Sequence, residues 1–173
     1  FTRSVSRVMV RGGIGFLSPE QKKTIMESDV VIISDYNKGY VNEQMISEIS
    51  KIARLSILDT KKKLSWKTIK DVTFIKLNEH EYQRNKNISD KNKDKFIITL
   101  GMNGAKHDDI VFLSPSPKQT IDVSGAGDTF TASFTVKYLE TKDVEESIIY
   151  ANKMASIVVQ KRGVSVPITR QKK

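Results

Sequence analysis

The stretch Val30-Val31-Ile32-Ile33-Ser34-Asp35-Tyr36-Asn37-Lys38-Gly39 decides the fold class. Its opening is short, continuously apolar and β-branched, and a turn-forming cluster follows, which is how a buried strand reads. Asn42 then offers a cap for a helix running to about Arg54, with Met45, Ile46, Ile49 and Ile52 on one face. Leu55–Leu58 reads as the next strand, Val72–Leu77 as another and Phe96–Leu100 as a fourth. Ala105–His107 and Ile110–Leu113, joined by Asp108-Asp109, read as a hairpin. Two helices follow, about Asp128–Leu139 and about Val144–Arg162, with Asp143 near the start of the second. Strands separated by helical or crossover segments imply an α/β fold with a mainly parallel sheet covered by helices. Ligands gather at the carboxyl ends of such strands, where Asp35, Asp59, Asn78 and Gly101 fall. The stretch Phe1–Phe16 behaves differently. Val5, Val8 and Val10 alternate imperfectly and Gly12-Gly13-Ile14-Gly15 breaks any regular element. It reads as an edge strand or as the end of a larger element, so residues 1–19 are set apart from 20–173.

The 173 residues carry 29 Lys and Arg against 20 Asp and Glu, a formal net charge of +9, with 38% hydrophobic residues. That is enough for a sizeable core and argues against global disorder. Runs such as Ile157-Val158-Val159 are far too short to span a bilayer, and Phe1–Arg7 lack the apolar segment of a signal peptide. The chain has no cysteine, which excludes disulfides, thiolate zinc sites and cysteine nucleophiles. Two histidines, His80 and His107, leave little room for a histidine metal cluster or a Ser-His-Asp hydrolase. A cytoplasmic location without a membrane partner is expected. The lysines are dispersed: Lys61-Lys62-Lys63 with Lys67 and Lys70, then Lys86 to Lys95 interrupted by Asp90 and Asp94, then Arg170 to Lys173. No aromatics interleave with them as base stacking needs, so solvated loops and phosphate-bearing small molecules are expected rather than nucleic acid.

The most informative segment is Asp122-Val123-Ser124-Gly125-Ala126-Gly127-Asp128-Thr129-Phe130. Gly125, Ala126 and Gly127 sit directly before the expected helix, where small residues let backbone N–H groups approach an oxyanion. Asp128 in the first turn faces the same place. A carboxylate beside an anion hole suits phosphoryl transfer to a sugar hydroxyl, the carboxylate taking the proton and the amides the developing charge. Read alone, the pattern favours glycines that shape a loop and an Asp128 that complements the helix dipole. No Gly-Lys-Ser/Thr follows and position 130 is Phe, so this is neither a P-loop nor a dinucleotide fingerprint.

Residues 122–132 resemble the second signature of the pfkB (ribokinase-like) carbohydrate kinases, with Ser133 in place of the usual Gly or Ala. Further landmarks follow the family's order. Asn78-Glu79-His80-Glu81 resembles its Asn-x-x-Glu element, which implies that Asn78 and Glu81 help place Mg²⁺ and nucleotide phosphates, mostly through water. Without that company they would be two polar residues opening a helix. Thr99-Leu100-Gly101-Met102-Asn103-Gly104 resembles the Thr-x-Gly-x-x-Gly turn beside the ATP phosphates, although a plain hairpin turn explains its glycines almost as well. Ala151-Asn152, with Ala155 one turn later, resembles the adenine-facing helix; on its own it would be close helix packing. Arg162 to Pro167 matches the closing segment, and Gly163 with Asp122 and Ser124 is implied as a monovalent-cation (K⁺) site. Ser34 to Gly39 and Asp59-Thr60-Lys61 look like the heptose 7-phosphate 1-kinases of the ADP-heptose pathway, with two departures. Thr60 replaces the proline of Asp-Pro-Lys, and Lys62 replaces the following glycine.

The resemblance covers roughly Val30 to Pro167 and implies a three-layer ribokinase-like fold, here an incomplete domain: the C-terminal, nucleotide-binding portion. It implies ATP- and Mg²⁺-dependent phosphorylation of a sugar or sugar phosphate, heptose 7-phosphate at C1 first among them. Asp128 is the expected base, with Gly125, Ala126 and Gly127 as the anion hole. Thr99, Gly101, Gly104 and Asn152 are expected at the nucleotide. The complete protein is expected to be a homo-oligomer. An N-terminal portion carrying much of the sugar pocket is expected before this segment, so the chain alone is expected to phosphorylate sugars poorly. No histidine-rich nucleotidyltransferase motif follows Pro167, so no fused transferase is expected in this chain. The reading from another class is a nucleotide-binding but catalytically incomplete interaction module.

Overall fold

Ser18 opens the first helix for a local reason. Its hydroxyl accepts the Gln21 amide at 3.1 Å while Gln21 Oε1 accepts the Ser18 amide at 2.8 Å, and Pro19 sits in the first turn, where no donor is needed. The structure is a computed structural model that describes residues 17–36, 38–115 and 125–160 and the backbone of Val5–Ser6. In chain order the elements are β1 (Val5–Ser6), α1 (Pro19–Glu27), β2 (Val30–Asp35), α2 (Glu43–Ile52), β3 (Ser56–Thr60), α3 (Trp66–Ile69), β4 (Phe74–Asn78), α4 (Glu79–Asp90), β5 (Phe96–Thr99), β6 (Ala105–His107), β7 (Ile110–Phe112), α5 (Ala126–Thr141) and α6 (Val144–Val158). Packing divides the chain into two compact units, Phe1–Ile98 with His107–Asp109, and Thr99–Lys106 with Ile110–Lys173.

In the first unit, β1 to β5 lie side by side in chain order. The pairs β1–β2, β2–β3 and β3–β4 are parallel, with Ile33 opposite Leu58 and Leu58 opposite Ile75. Stepping one strand at a time with right-handed crossovers sends the connecting helices to one face. There Val31, Ile33, Leu58, Ile75 and Leu77 meet Ile25 of α1, Met45, Ile46 and Ile49 of α2, and Ile69 of α3. Each such side chain contributes roughly 1.5–3 kcal/mol when fully buried. Val30, Ile57 and Phe74 on the opposite face are buried too, which is why these strands read as continuous apolar runs. The expected mainly parallel α/β sheet is present, and its strands reach further than their apolar residues suggest. Asp35 pairs with Thr60 and Asp59 with Lys76, so Asp35 and Asn78 end their strands and Asp59 lies one residue inside the end of β3, rather than following them.

α4 escapes hydrophobic periodicity because its buried stripe is polar: Glu81, Asn85 and Ser89, four residues apart. Asn85 Oδ1 accepts the Leu64 amide at 2.8 Å, and its Nδ2 donates to Lys62 O and Glu81 O at 3.0 Å each.

In the second unit, α5 and α6 pack against each other. Phe130, Phe134 and Leu139 of α5 are buried, as are Ile148, Ala151, Met154 and Val158 of α6. Lys142, left-handed at φ 59°, ends α5, and Asp143 Oδ1 accepts the Glu146 amide at 2.9 Å to start α6.

Candidate active site

Every described helix of four residues or more except α5 begins on a side-chain acceptor: Ser18, Asn42, Ser65, Asn78 and Asp143. α5 begins on Gly125, in the left-handed conformation at φ 77° and ψ −1°, which has no side chain to offer. The first amides of a helix have no partner within it and carry its positive dipole end. Gly125, Ala126 and Gly127 lie at that end of α5. Asp128 lies exposed in the same first turn. One turn on, Thr131 Oγ1 bonds back to Gly127 O at 3.1 Å, turning a polar side chain into its own helix.

The turn from Thr99 to Gly104 is held by its backbone. Leu100 N donates to Gly104 O at 2.8 Å and Gly104 N to Gly101 O at 3.2 Å. Gly101 and Gly104 both have positive φ, 60° and 97°. They differ in surroundings: a Cβ on Gly101 would meet nothing within 4 Å, while one on Gly104 would lie 2.0 Å from Phe112 O. That carbonyl also accepts Asn152 Nδ2 at 2.8 Å. Gly104 and Asn152, named separately in the sequence as nucleotide residues, thus converge on one backbone oxygen after β7. Asn152 is buried and spends a donor on that carbonyl.

In the first unit, Asn78 and Glu81 cap α4 reciprocally. Asn78 Oδ1 accepts the Glu81 amide and Glu81 Oε2 accepts the Asn78 amide, both at 2.8 Å. Glu81 is only 4% exposed, not the surface residue that a plain helix opening would have. Beside them at the strand ends lie two ion pairs that sequence reasoning missed. Lys76 Nζ lies 3.1 Å from Asp59 Oδ2, and Lys62 Nζ lies 3.2 Å from Asp35 Oδ2. Asp59 and Asp35 were marked by position, but nothing in one dimension identifies their partners. Among the described residues, no group of three His, Asp or Glu side chains is placed to hold a metal, and no helix is long and apolar enough to cross a membrane.

The family profile described as pfkB family carbohydrate kinase matches residues 6–171. The chain belongs to the pfkB family. Its relatives include the bifunctional protein HldE of Helicobacter pylori strain J99, 30% identical over 162 residues that cover 80% of this chain and 35% of that protein. The bifunctional protein HldE of Bradyrhizobium diazoefficiens is 26% identical over 170 residues, 85% of this chain and 34% of that protein. Among solved structures, the ribokinase of Arabidopsis thaliana complexed with ribose and ATP superposes with a TM-score of 0.73 at 21% identity, covering 87% of this chain and 55% of that one. The ribokinase of Thermotoga maritima gives 0.69 at 22% identity, covering 84% and 56%. The fold is therefore ribokinase-like. The chain spans about a third of the curated relatives' length and just over half that of the solved ribokinases. Three pfkB landmark positions, Asp122, Ser124 and Gly163 of the expected cation site, lie outside the described residues, as do Asn37 and Arg162 to Pro167.

Proposed function

We propose that this chain carries the nucleotide-binding and catalytic portion of an ATP-dependent kinase acting on a hydroxyl of a sugar or sugar phosphate, heptose 7-phosphate at C1 first among them. The observation that carries this reading is the start of α5: amides with no side-chain cap at Gly125, and a carboxylate, Asp128, in the same turn. Bound ATP supplies the phosphoryl group, and Mg²⁺ offsets its charge. Asp128 takes the proton of the acceptor hydroxyl, and the amides of Gly125, Ala126 and Gly127 stabilise negative charge beside it. The donor set suits an anion, because the first amides of a helix have no partner within it and donate to negative charge. Glu81 has Oε2 engaged in the cap of α4, which suits a carboxylate that orients water around Mg²⁺ rather than binding the ion directly. Thr99, Gly101 and Gly104 form the turn for the nucleotide phosphates, and Asn152 supports that turn through Phe112 O. A K⁺ site at Asp122, Ser124 and Gly163, a cytoplasmic setting, a homo-oligomeric whole protein and a main portion over 20–173 complete the proposal.

The test is thermal denaturation with ATP or ADP, with and without Mg²⁺. Nucleotide at a hundred times its dissociation constant is expected to add about 2.7 kcal/mol of stability. No melting shift and no calorimetric heat at saturation would overturn the nucleotide site. A shift without turnover on any sugar phosphate, in the full-length protein, would favour the binding-module reading instead.

A further inference from the structure

Position 62, glycine in the heptose kinase pattern, here holds a lysine whose ammonium ties both ends of the turn between β2 and α2. Lys62 Nζ lies 3.2 Å from Asp35 Oδ2, where β2 ends, and donates to Val41 O, just ahead of α2. Thr60, the other departure from that pattern, donates its hydroxyl to the same Asp35 Oδ2 at 3.0 Å and accepts the Lys62 amide at 3.1 Å. Asn85 Nδ2 holds the Lys62 carbonyl at 3.0 Å. The two departures are therefore one device: with proline and glycine at 60 and 62, neither side chain would reach Asp35. The carboxylate is 2% exposed and the lysine side chain 19%. Taking both charges out of water offsets most of their attraction, so the pair adds geometry rather than stability.

The turn it pins carries Tyr36, 52% exposed, Tyr40, 65% exposed, and the exposed Lys38. Lys61, adjacent to the clamp, has its ammonium 5.4 Å from the centre of the Tyr36 ring. Aromatic faces suit the C–H face of a sugar, and an ammonium beside one of them, with a second lysine exposed on the same turn, suits a phosphate ester. We propose that Lys62 is a positioning residue, pinning Asp35 and Val41 so that Tyr36, Lys38 and Lys61 receive the phosphate monoester of a sugar acceptor. This rests on the kinase reading above and adds which surface meets the acceptor's phosphate.

The experiment measures amide hydrogen exchange and calorimetric affinity with ribose 5-phosphate, fructose 6-phosphate and a heptose 7-phosphate, against the free sugars and inorganic phosphate. At least one ester is expected to slow exchange between Tyr36 and Val41, and its free sugar is not. Lys62→Met is expected to weaken that ester about tenfold, with the MgATP melting shift unchanged, and Lys62→Arg to restore most of the loss. Should Lys62→Met not fold, Asp35→Asn, which removes the charge that holds Lys62, is expected to weaken the ester in the same direction. In the full-length enzyme the Lys62→Met loss should fall on KM for the ester, with kcat retained. Binding by Lys62→Met equal to wild type, protection by inorganic phosphate or free sugar as strong as by any ester, or no ester bound while MgATP still shifts melting would each overturn this inference alone. No response to MgATP or to any ester would overturn it together with the kinase reading.

Discussion

Gly104→Ala is the substitution for which the structure sets the size of the effect most directly. The new methyl group would lie 2.0 Å from Phe112 O, 2.7 Å from Ser114 N and 2.9 Å from Leu113 C, all backbone atoms that no side-chain rotation can move aside. Gly104 also holds φ 97° and ψ −134°, a region used almost only by glycine, and forcing alanine there costs about 1–3 kcal/mol. Moving Phe112 O away breaks its bond from Asn152 Nδ2, worth about 0.5–1.5 kcal/mol. Together these predict a loss of about 1.5–4.5 kcal/mol. For a chain of this size that lowers the melting temperature by about 3–18 °C. Gly101→Ala is the control: its φ of 60° is also positive, but open space surrounds it, so only the left-handed penalty of about 1–2 kcal/mol applies. Chemical denaturation of both variants decides the matter. If Gly104→Ala costs no more than Gly101→Ala, the close approach of Gly104 to Phe112 is not what holds this turn.

In the full-length enzyme, Asp128→Asn is expected to lower turnover by about 10²–10⁴ with nucleotide affinity largely kept; steady-state kinetics beside calorimetry read both, and full activity would leave Asp128 a helix-start residue. Asn78→Ala removes one half of the reciprocal cap of α4 and is expected to cost about 1 kcal/mol in urea denaturation of the nucleotide-free chain. Lys76→Met strands Asp59 near the sheet and is expected to cost about 3 kcal/mol, while adding Asp59→Leu restores most of it. A double variant no more stable than the single one would show that Asp59 was not destabilised by losing its partner.

The α/β class, the parallel sheet, the helix after Asn42, the hairpin at Asp108-Asp109 and the start of α5 were all legible in the chain. Each rests on a local cause: a β-branched run, an apolar stripe, a cap or a pair of small residues acts within a few neighbours. The family landmarks were legible for the same reason, since Gly125 to Asp128 and Asn78 to Glu81 are contiguous. α4 was not, because its inward stripe of Glu81, Asn85 and Ser89 is polar and satisfied by hydrogen bonds rather than by burial of apolar area. The strand ends were set by pairing across the ladder, which carries Asp35 and Thr60 into the sheet beyond their apolar neighbours. Only the tertiary structure brought Asn152 to a carbonyl 40 residues away, joined Lys76 to Asp59 across two strands, and turned Lys62 rather than Lys61 towards Asp35. Those contacts join residues far apart in the chain, and their energy depends on distance and burial, quantities that exist only once the sheet has been assembled.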